Sequence, residues 1–130
     1  MPNTVFLRLR HRLQAWQAAG GELTTAVHDH GGKISAQLTH CGYFKLNKPL
    51  ETRRTISPSF KFNKLGAPYG RPFAYAMTQA DVDRTVDSYA RSAVLAREVG
   101  FDAVEIMACH GYLLNQFLSA NINKRTDRYG

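Results

Sequence analysis

The sequence has few cysteines and no long apolar run. Its 130 residues include only two cysteines, Cys41 and Cys109, which lie far apart in the chain. This excludes a disulfide framework and favours a reducing compartment, so we expect a cytoplasmic protein. No segment approaches the ~18 consecutive apolar residues of a membrane-spanning helix, and no signal peptide is evident. We therefore expect no membrane partner.

Acidic side chains are also scarce, at 10 against 17 basic ones, which gives a net charge of +7. Such an excess suits an anionic partner, either a phosphorylated cofactor or a nucleic acid. However, the basic residues between 33 and 71 are spread out, as in a solvated loop, and no recognition element accompanies them. We therefore expect no nucleic acid partner.

The first 20 residues contain three arginines and no acid, a pattern shared by mitochondrial presequences and ordinary amphipathic helices.

The first half of the chain reads as two helices, a strand and a long connection. A helical face over residues 5–19 is followed by Gly20 and Gly21, which predict a stop. A second helix over 23–30 should face inward with Leu23, Ala26 and Val27, and end at Gly31 and Gly32. Residues 33–40 alternate as in a strand. Residues 41–77 hold four of the five prolines and are predicted to form an irregular lid.

The second half reads as a long helix followed by a buried strand. Thr78 and Asp81 form a capping-box pattern, and an apolar stripe then runs to Val99. This stripe consists of Val82, Val86, Tyr89, Ala90, Ala93 and Val94. An apolar run after Gly100 predicts a buried parallel strand, and polar side chains follow it from Cys109 to Tyr112. In α/β proteins, chemistry usually lies at this carboxyl end of the strands.

Two stretches carry a family resemblance. GFDAVEIMACHGYLLNQFLSANINKRTDRYG (residues 100–130) and AVHDHGGKISAQLTHCG (residues 26–42) resemble the flavin-dependent Old Yellow Enzyme family, which includes NADH:flavin oxidoreductases and 2,4-dienoyl-CoA reductases. The resemblance implies an α/β fold, a (β/α)8 TIM barrel. Because a whole barrel needs about 250 residues, residues 26–130 would be a fragment holding about its third and fourth strand-helix units. Residues 1–25 would then be a divergent N-terminal helix.

The resemblance also implies a reaction. It predicts an FMN-dependent oxidoreductase that takes electrons from NADH or NADPH and transfers hydride to an activated alkene, such as an enone or enoyl compound. Its partner would be a small-molecule substrate, and the oligomeric state stays open. The alternative is that the chain is an inactive truncated remnant that binds no flavin.

The same resemblance assigns roles to site residues. Gln37 would contact the flavin, since a side-chain amide offers a donor and an acceptor together. His110 would hold the substrate carbonyl oxygen, and Tyr112 would supply a proton. Met107 stands where many members carry the first histidine of the pair whose second member matches His110. A methionine at this position resembles the dienoyl-CoA reductase branch, and it cannot donate a hydrogen bond. In that branch the acid lies close to the position of Tyr43, which therefore competes with Tyr112.

A metal site is the rival use of the histidines and cysteines. Their positions show neither the HxxxH nor the CxxC spacing typical of zinc ligands. The residues concerned are His28, His30, His40, Cys41, Cys109 and His110. We expect no metal. Cys109, beside His110, is either a redox-sensitive thiol or a packed one.

Overall fold

The computed structural model describes residues 13–45 and 54–130. The predicted helical residues 5–12 and residues 46–53 of the predicted lid lie outside this range. The helices are α1 (Leu13–Asp29), α2 (Gln79–Glu98) and α3 (Leu113–Leu118). The strands are β1 (Ser35–Leu38), β2 (Thr55–Ser57), β3 (Lys61–Phe62), β4 (Phe73–Ala76) and β5 (Ala103–Ile106). The described chain forms two compact units, one of residues 13–38 and 84–106, the other of 39–45, 54–83 and 107–130.

In the first unit, α1 runs without a break through Gly20 and Gly21, so the predicted stop is wrong. A glycine inside a helix costs only about 1 kcal/mol, which packing can offset. Gly20 is buried, and a Cβ there would lie 3.2 Å from Cγ2 of Val99. The missing side chain therefore allows close packing.

The inward face of α1 also differs from the prediction. Leu23 is 51% exposed, whereas Thr24 is buried and its hydroxyl donates to the carbonyl of Val99 at 2.7 Å. The predicted end of the helix is confirmed: Gly31 adopts φ 73°, and the N–H of Gly32 donates to the carbonyl of Val27 at 3.0 Å.

Strands β1 and β5 pair in parallel, with Gln37 opposite Glu105. The alternation predicted for β1 is confirmed, because Ala36 and Leu38 are buried and their neighbours are exposed. The burial predicted for β5 is wrong, since all four of its residues are exposed and Ile106 reaches 53%. Among the described strands, β5 pairs with β1 alone, so an apolar sequence does not ensure burial here.

A carboxylate ties together the segments that precede these two strands. Asp102 accepts hydrogen bonds from Nε2 of His28 at 2.8 Å, from Nζ of Lys33 at 2.8 Å and from the N–H of Ile34 at 3.0 Å. These donors, His28 foremost, hold the pKa of Asp102 well below its usual range. The carboxylate thus fixes β1 and β5 at their amino ends.

Helix α2 begins as predicted. The N–H of Asp81 donates to the Thr78 hydroxyl at 3.1 Å, and the N–H of Thr78 donates to the Asp81 carboxylate at 2.9 Å. The predicted stripe is partly wrong, because Val86 is 60% exposed and Val94 is 45% exposed. Val82 and Val99, at the two ends of the predicted stripe, are buried as expected. Between them, the buried positions of α2 hold small or polar side chains, namely Thr85, Ser88, Ser92 and Ala96. None of the described helices is both long and apolar enough to cross a membrane.

The second unit contains a small sheet within residues 41–77, where an irregular lid was predicted. Its order is β2-β4-β3, with β2 parallel and β3 antiparallel to β4. The prediction is therefore wrong for the described part of this segment. The strands are two to four residues long, too short to show a clear alternation in sequence. The buried core of this unit consists of Met77, Val82 and Leu113, with Ile56, Phe117 and Tyr129 packed against them.

Candidate active site

The candidate site is built from two loops of the second unit, one after β1 and one after β5. The hydroxyl of Thr39 donates to Sδ of Met107 at 3.7 Å, a distance typical of a weak bond to sulfur. Met107 is half-buried and supplies no hydrogen-bond donor. Any polar group bound here must therefore find its donors on other residues.

The loop after β5 presents a thiol and an imidazole together. His110 is exposed and adopts φ 55°, a left-handed conformation that is uncommon outside glycine. Sγ of Cys109 lies 2.8 Å from Nδ1 of His110. Gly111 follows with φ 73°, and a Cβ there would lie 2.9 Å from the ring of Phe44. Two successive left-handed residues thus turn the chain and bring its backbone against Phe44.

Both candidate proton donors contact Phe44. The Tyr112 ring meets it edge-on with 6.3 Å between ring centroids, and the Tyr43 ring lies 4.2 Å from it, tilted by 35°. Tyr43 and Tyr112 are both half-buried. Burial raises the pKa of Tyr43, so its phenol is a weaker acid than that of an ordinary tyrosine. The structure thus places both tyrosines around one ring.

Gln116 ties the two loops together, a role that sequence reasoning missed. Its side chain is fully buried, and Nε2 donates to the carbonyls of Gly111 at 2.7 Å and Cys41 at 3.3 Å. Its Oε1 accepts from the N–H of Tyr43 at 3.3 Å. The available signal was an amide in α3 between the apolar residues Leu113 and Phe117, at a spacing that predicts an inward position.

His40 is a buried histidine in the loop after β1. Its Nδ1 accepts from the N–H of Gly42 at 3.0 Å, and its carbonyl accepts from the N–H of Leu113 at 2.9 Å. Burial, and then the charge of Lys45, lowers the pKa of His40 to about 4. The imidazole is therefore neutral at pH 7 and supports the loop.

Gln37 lies on β1 in the first unit. Its side chain is exposed and Nε2 donates to Oε1 of Glu105 at 3.1 Å. An exposed amide with a donor and an acceptor fits the polar edge of a flavin, so the side chain is suited to the predicted cofactor. The convergence of Gln37 with His110 and Tyr112 stays a prediction.

Polar side chains near the end of the family-like stretch of residues 100–130 hold the backbone in place. They are those of Asn123, Arg125 and Asp127. Nδ2 of Asn123 donates to the carbonyls of Phe117 at 2.9 Å and Tyr129 at 2.6 Å. The Arg125 guanidinium pairs with Asp127 and donates to the carbonyls of Pro58 at 3.0 Å and Met77 at 2.5 Å. The pairing raises the pKa of Arg125 and lowers that of Asp127. These contacts hold the C-terminal residues against the segments around Pro58 and Met77 within the second unit, which indicates a structural role.

Among the described residues, no group of three or more His, Cys, Asp or Glu side chains is placed to hold a metal ion.

The chain matches the model of the NADH:flavin oxidoreductase / NADH oxidase family over residues 12–130. The chain belongs to this family. Members of the family use FMN and NADH or NADPH, so the predicted cofactors are confirmed at family level.

Two relatives illustrate the range of the family. An NADPH dehydrogenase of Geobacillus thermodenitrificans is 42% identical over 110 residues, covering 84% of this chain and 30% of that protein. A 4,4'-dithiodibutanoate disulfide reductase of Rhodococcus erythropolis is 38% identical over 108 residues, covering 83% of this chain and 26% of that protein. The names differ, so family membership does not identify the substrate.

The fold comparison agrees with the family. An Old Yellow Enzyme from Pichia sp. AKU4542 superposes with a TM-score of 0.79 and 34% sequence identity, covering 88% of this chain and 31% of that one. The predicted fold, part of a TIM barrel, is confirmed. The described strands do not close a barrel, and the chain spans about 30% of the length of the curated relatives it matches.

Proposed function

We propose that this chain belongs to an FMN-dependent NAD(P)H oxidoreductase that reduces alkenes conjugated to a carbonyl group. The observation that carries the proposal is the parallel pairing of β1, which bears Gln37, with β5, which leads into His110 and Tyr112. The family match supports the redox class. The competing proposal is an inactive remnant that binds no flavin.

Each residue has a role that its chemistry permits. FMN, when bound, supplies hydride to the substrate after reduction by the nicotinamide cofactor. The amide of Gln37 holds the polar edge of the flavin. The exposed imidazole of His110 donates to the substrate carbonyl oxygen, where negative charge builds as hydride arrives. Because Met107 offers no second donor, His110 carries this stabilisation without help from that position.

A proton must also reach the α-carbon of the substrate. Tyr112 is the proposed donor, and Tyr43 is the alternative because both pack against Phe44. The raised pKa of Tyr43 makes its phenol a weaker acid, which favours Tyr112 as the donor.

We also propose a cytoplasmic location, which the two free cysteines support.

The test is flavin binding followed by turnover. The purified chain is mixed with FMN, and bound flavin is measured by its yellow absorbance after gel filtration. NADPH oxidation is then followed anaerobically with 2-cyclohexenone as substrate. We expect binding and turnover, whereas a colourless protein would favour the inactive remnant.

Variants separate the two proton donors. Tyr112→Phe is expected to lower turnover by about 100-fold, the scale of a lost general acid, while Tyr43→Phe is expected to have a small effect. Tyr69→Phe is the matched control, since Tyr69 is 60% exposed in the small sheet region. The reverse order of effects would assign the acid to Tyr43.

A further inference from the structure

The loop after β5 contains a nucleophile with no role in the proposed reduction. Cys109 is exposed, and its Sγ lies 2.8 Å from Nδ1 of His110. A thiol attacks as the thiolate, and a base in hydrogen-bond contact activates it by accepting its proton. Cys109 and His110 together satisfy this arrangement, with the sulfur open to solvent.

The second cysteine provides an internal contrast. Cys41 is half-buried, and burial raises the pKa of its thiol, which disfavours the thiolate. Its carbonyl is held by the buried amide of Gln116. The chain therefore carries two free thiols in opposite environments, one exposed beside a base and one shielded.

We propose that Cys109 is a covalent attachment site for α,β-unsaturated carbonyl compounds, with His110 as the base that takes the thiol proton. The choice of electrophile rests on the proposed function, because these compounds are its proposed substrates. The attachment itself needs neither flavin nor nicotinamide. Modification at Cys109 would occupy the loop that presents His110 and so limit the enzyme when substrate is abundant.

The addition is balanced without another reactant. The Cys109 proton passes to Nδ1 of His110 while sulfur forms a bond to the β-carbon. The electron pair of the C=C bond moves toward the α-carbon and the carbonyl oxygen. The imidazolium then returns the proton to the α-carbon. The product is a thioether in which the thiol has added across the double bond, with no net oxidation or reduction.

The experiment uses the full chain without flavin or nicotinamide, incubated with 2-cyclohexenone at neutral pH. Peptide mass spectrometry follows the labelled fraction of each cysteine over time. We expect Cys109 to be labelled at least about tenfold faster than Cys41, a conservative bound for assistance by a neighbouring base. Cyclohexanone, which lacks the double bond, is expected to give no adduct.

Two variants test the role of the imidazole. His110→Asn removes the base and suits the left-handed backbone at φ 55°, because asparagine tolerates that conformation. It should slow Cys109 labelling at least about tenfold. His30→Gln removes an exposed histidine elsewhere and should leave the rate unchanged, with circular dichroism confirming that both variants fold.

Equal labelling of the two cysteines, faster labelling of Cys41, or an unchanged rate in the folded His110→Asn variant would each overturn the proposal. The result is independent of the flavin test. A chain that fails to bind FMN can still label at Cys109, and a chain that reduces enones can leave Cys109 unmodified.

Discussion

At the residue scale, Gln116 contributes most clearly to the loop geometry. Replacing it with alanine removes the partners of the Gly111 and Cys41 carbonyls and of the Tyr43 N–H. Buried polar groups left unpaired cost about 1–3 kcal/mol, so Gln116→Ala should lower the free energy of unfolding by that amount. Urea denaturation measures it.

Gln79→Ala is the matched control for this variant. Gln79 is exposed and donates to Asp83 within α2. Its replacement should change the free energy of unfolding by less than about 0.5 kcal/mol. If both variants lower the free energy of unfolding equally, the buried amide of Gln116 does not stabilise the two loops.

His40 predicts a pH dependence. Its pKa is about 4 in the folded chain, below the value of about 6.5 for an unfolded chain. The unfolded chain therefore binds more protons between these values, and the free energy of unfolding falls as pH drops from about 6.5 to about 4. The contribution of His40 amounts to at most about 3 kcal/mol. Urea denaturation across this range measures the slope.

His40→Asn keeps an acceptor for the Gly42 N–H and should flatten the slope, while His30→Gln should retain it. A wild-type chain with constant stability between pH 6.5 and 4 would contradict the role of His40.

Asp102 affects stability at a lower pH. Its depressed pKa gives stability that is present above about pH 4 and is lost as the pH falls through the folded value.

At the element scale, α1 shows why a glycine pair misleads sequence reasoning. Gly21 lies inside the helix, and a Cβ added there meets nothing within 4 Å. Gly21→Ala should therefore raise the free energy of unfolding by about 0.5–1 kcal/mol, because alanine is the better helix former. Thermal or urea denaturation measures the gain.

Gly31→Ala isolates the backbone effect. A Cβ at Gly31 also meets nothing within 4 Å, but φ is 73°. The strain of a left-handed alanine should lower stability by about 1 kcal/mol. If α1 ended at Gly20 and Gly21, both substitutions would destabilise the chain.

The same scale shows how far the sequence predicts the structure. Three features follow from local chemistry and were predictable: the capping box of α2, the alternation in β1 and the end of α1 at Gly31 and Gly32. The sheet of β2, β3 and β4 was not, since strands this short carry little periodic signal. The buried face of α2 was also misread, because Ser88 and Ser92 satisfy their hydroxyls on carbonyls four residues back and so tolerate burial.

Site prediction had a similar limit. The motif marked His110 and Tyr112, and the structure places both in one loop region of the second unit. Cys109 was flagged by its position beside His110, but the sequence did not decide between an exposed and a packed thiol. Gln116 acquires significance only through contacts that a linear sequence does not display, since its partner Cys41 lies 75 residues away.

At the scale of the whole molecule, the exposed β5 predicts self-association. The chain spans about 30% of its curated relatives, and Val104 and Ile106 are 38% and 53% exposed. An apolar strand edge is a template for pairing with another chain. We expect sedimentation velocity to show concentration-dependent association of the wild-type chain. Ile106→Lys should raise the apparent dissociation constant at least about tenfold, equivalent to about 1.4 kcal/mol.

Val86→Lys separates strand pairing from a general effect of charge. Val86 is 60% exposed on α2, so its replacement adds the same charge and removes a similar apolar area away from the strand. It should leave the association nearly unchanged. Because a lysine on an edge strand opposes pairing through its charge and hydration, only the β5 variant should shift the equilibrium. A wild-type chain that stays monomeric at all concentrations, or equal shifts in both variants, would exclude β5 as the contact.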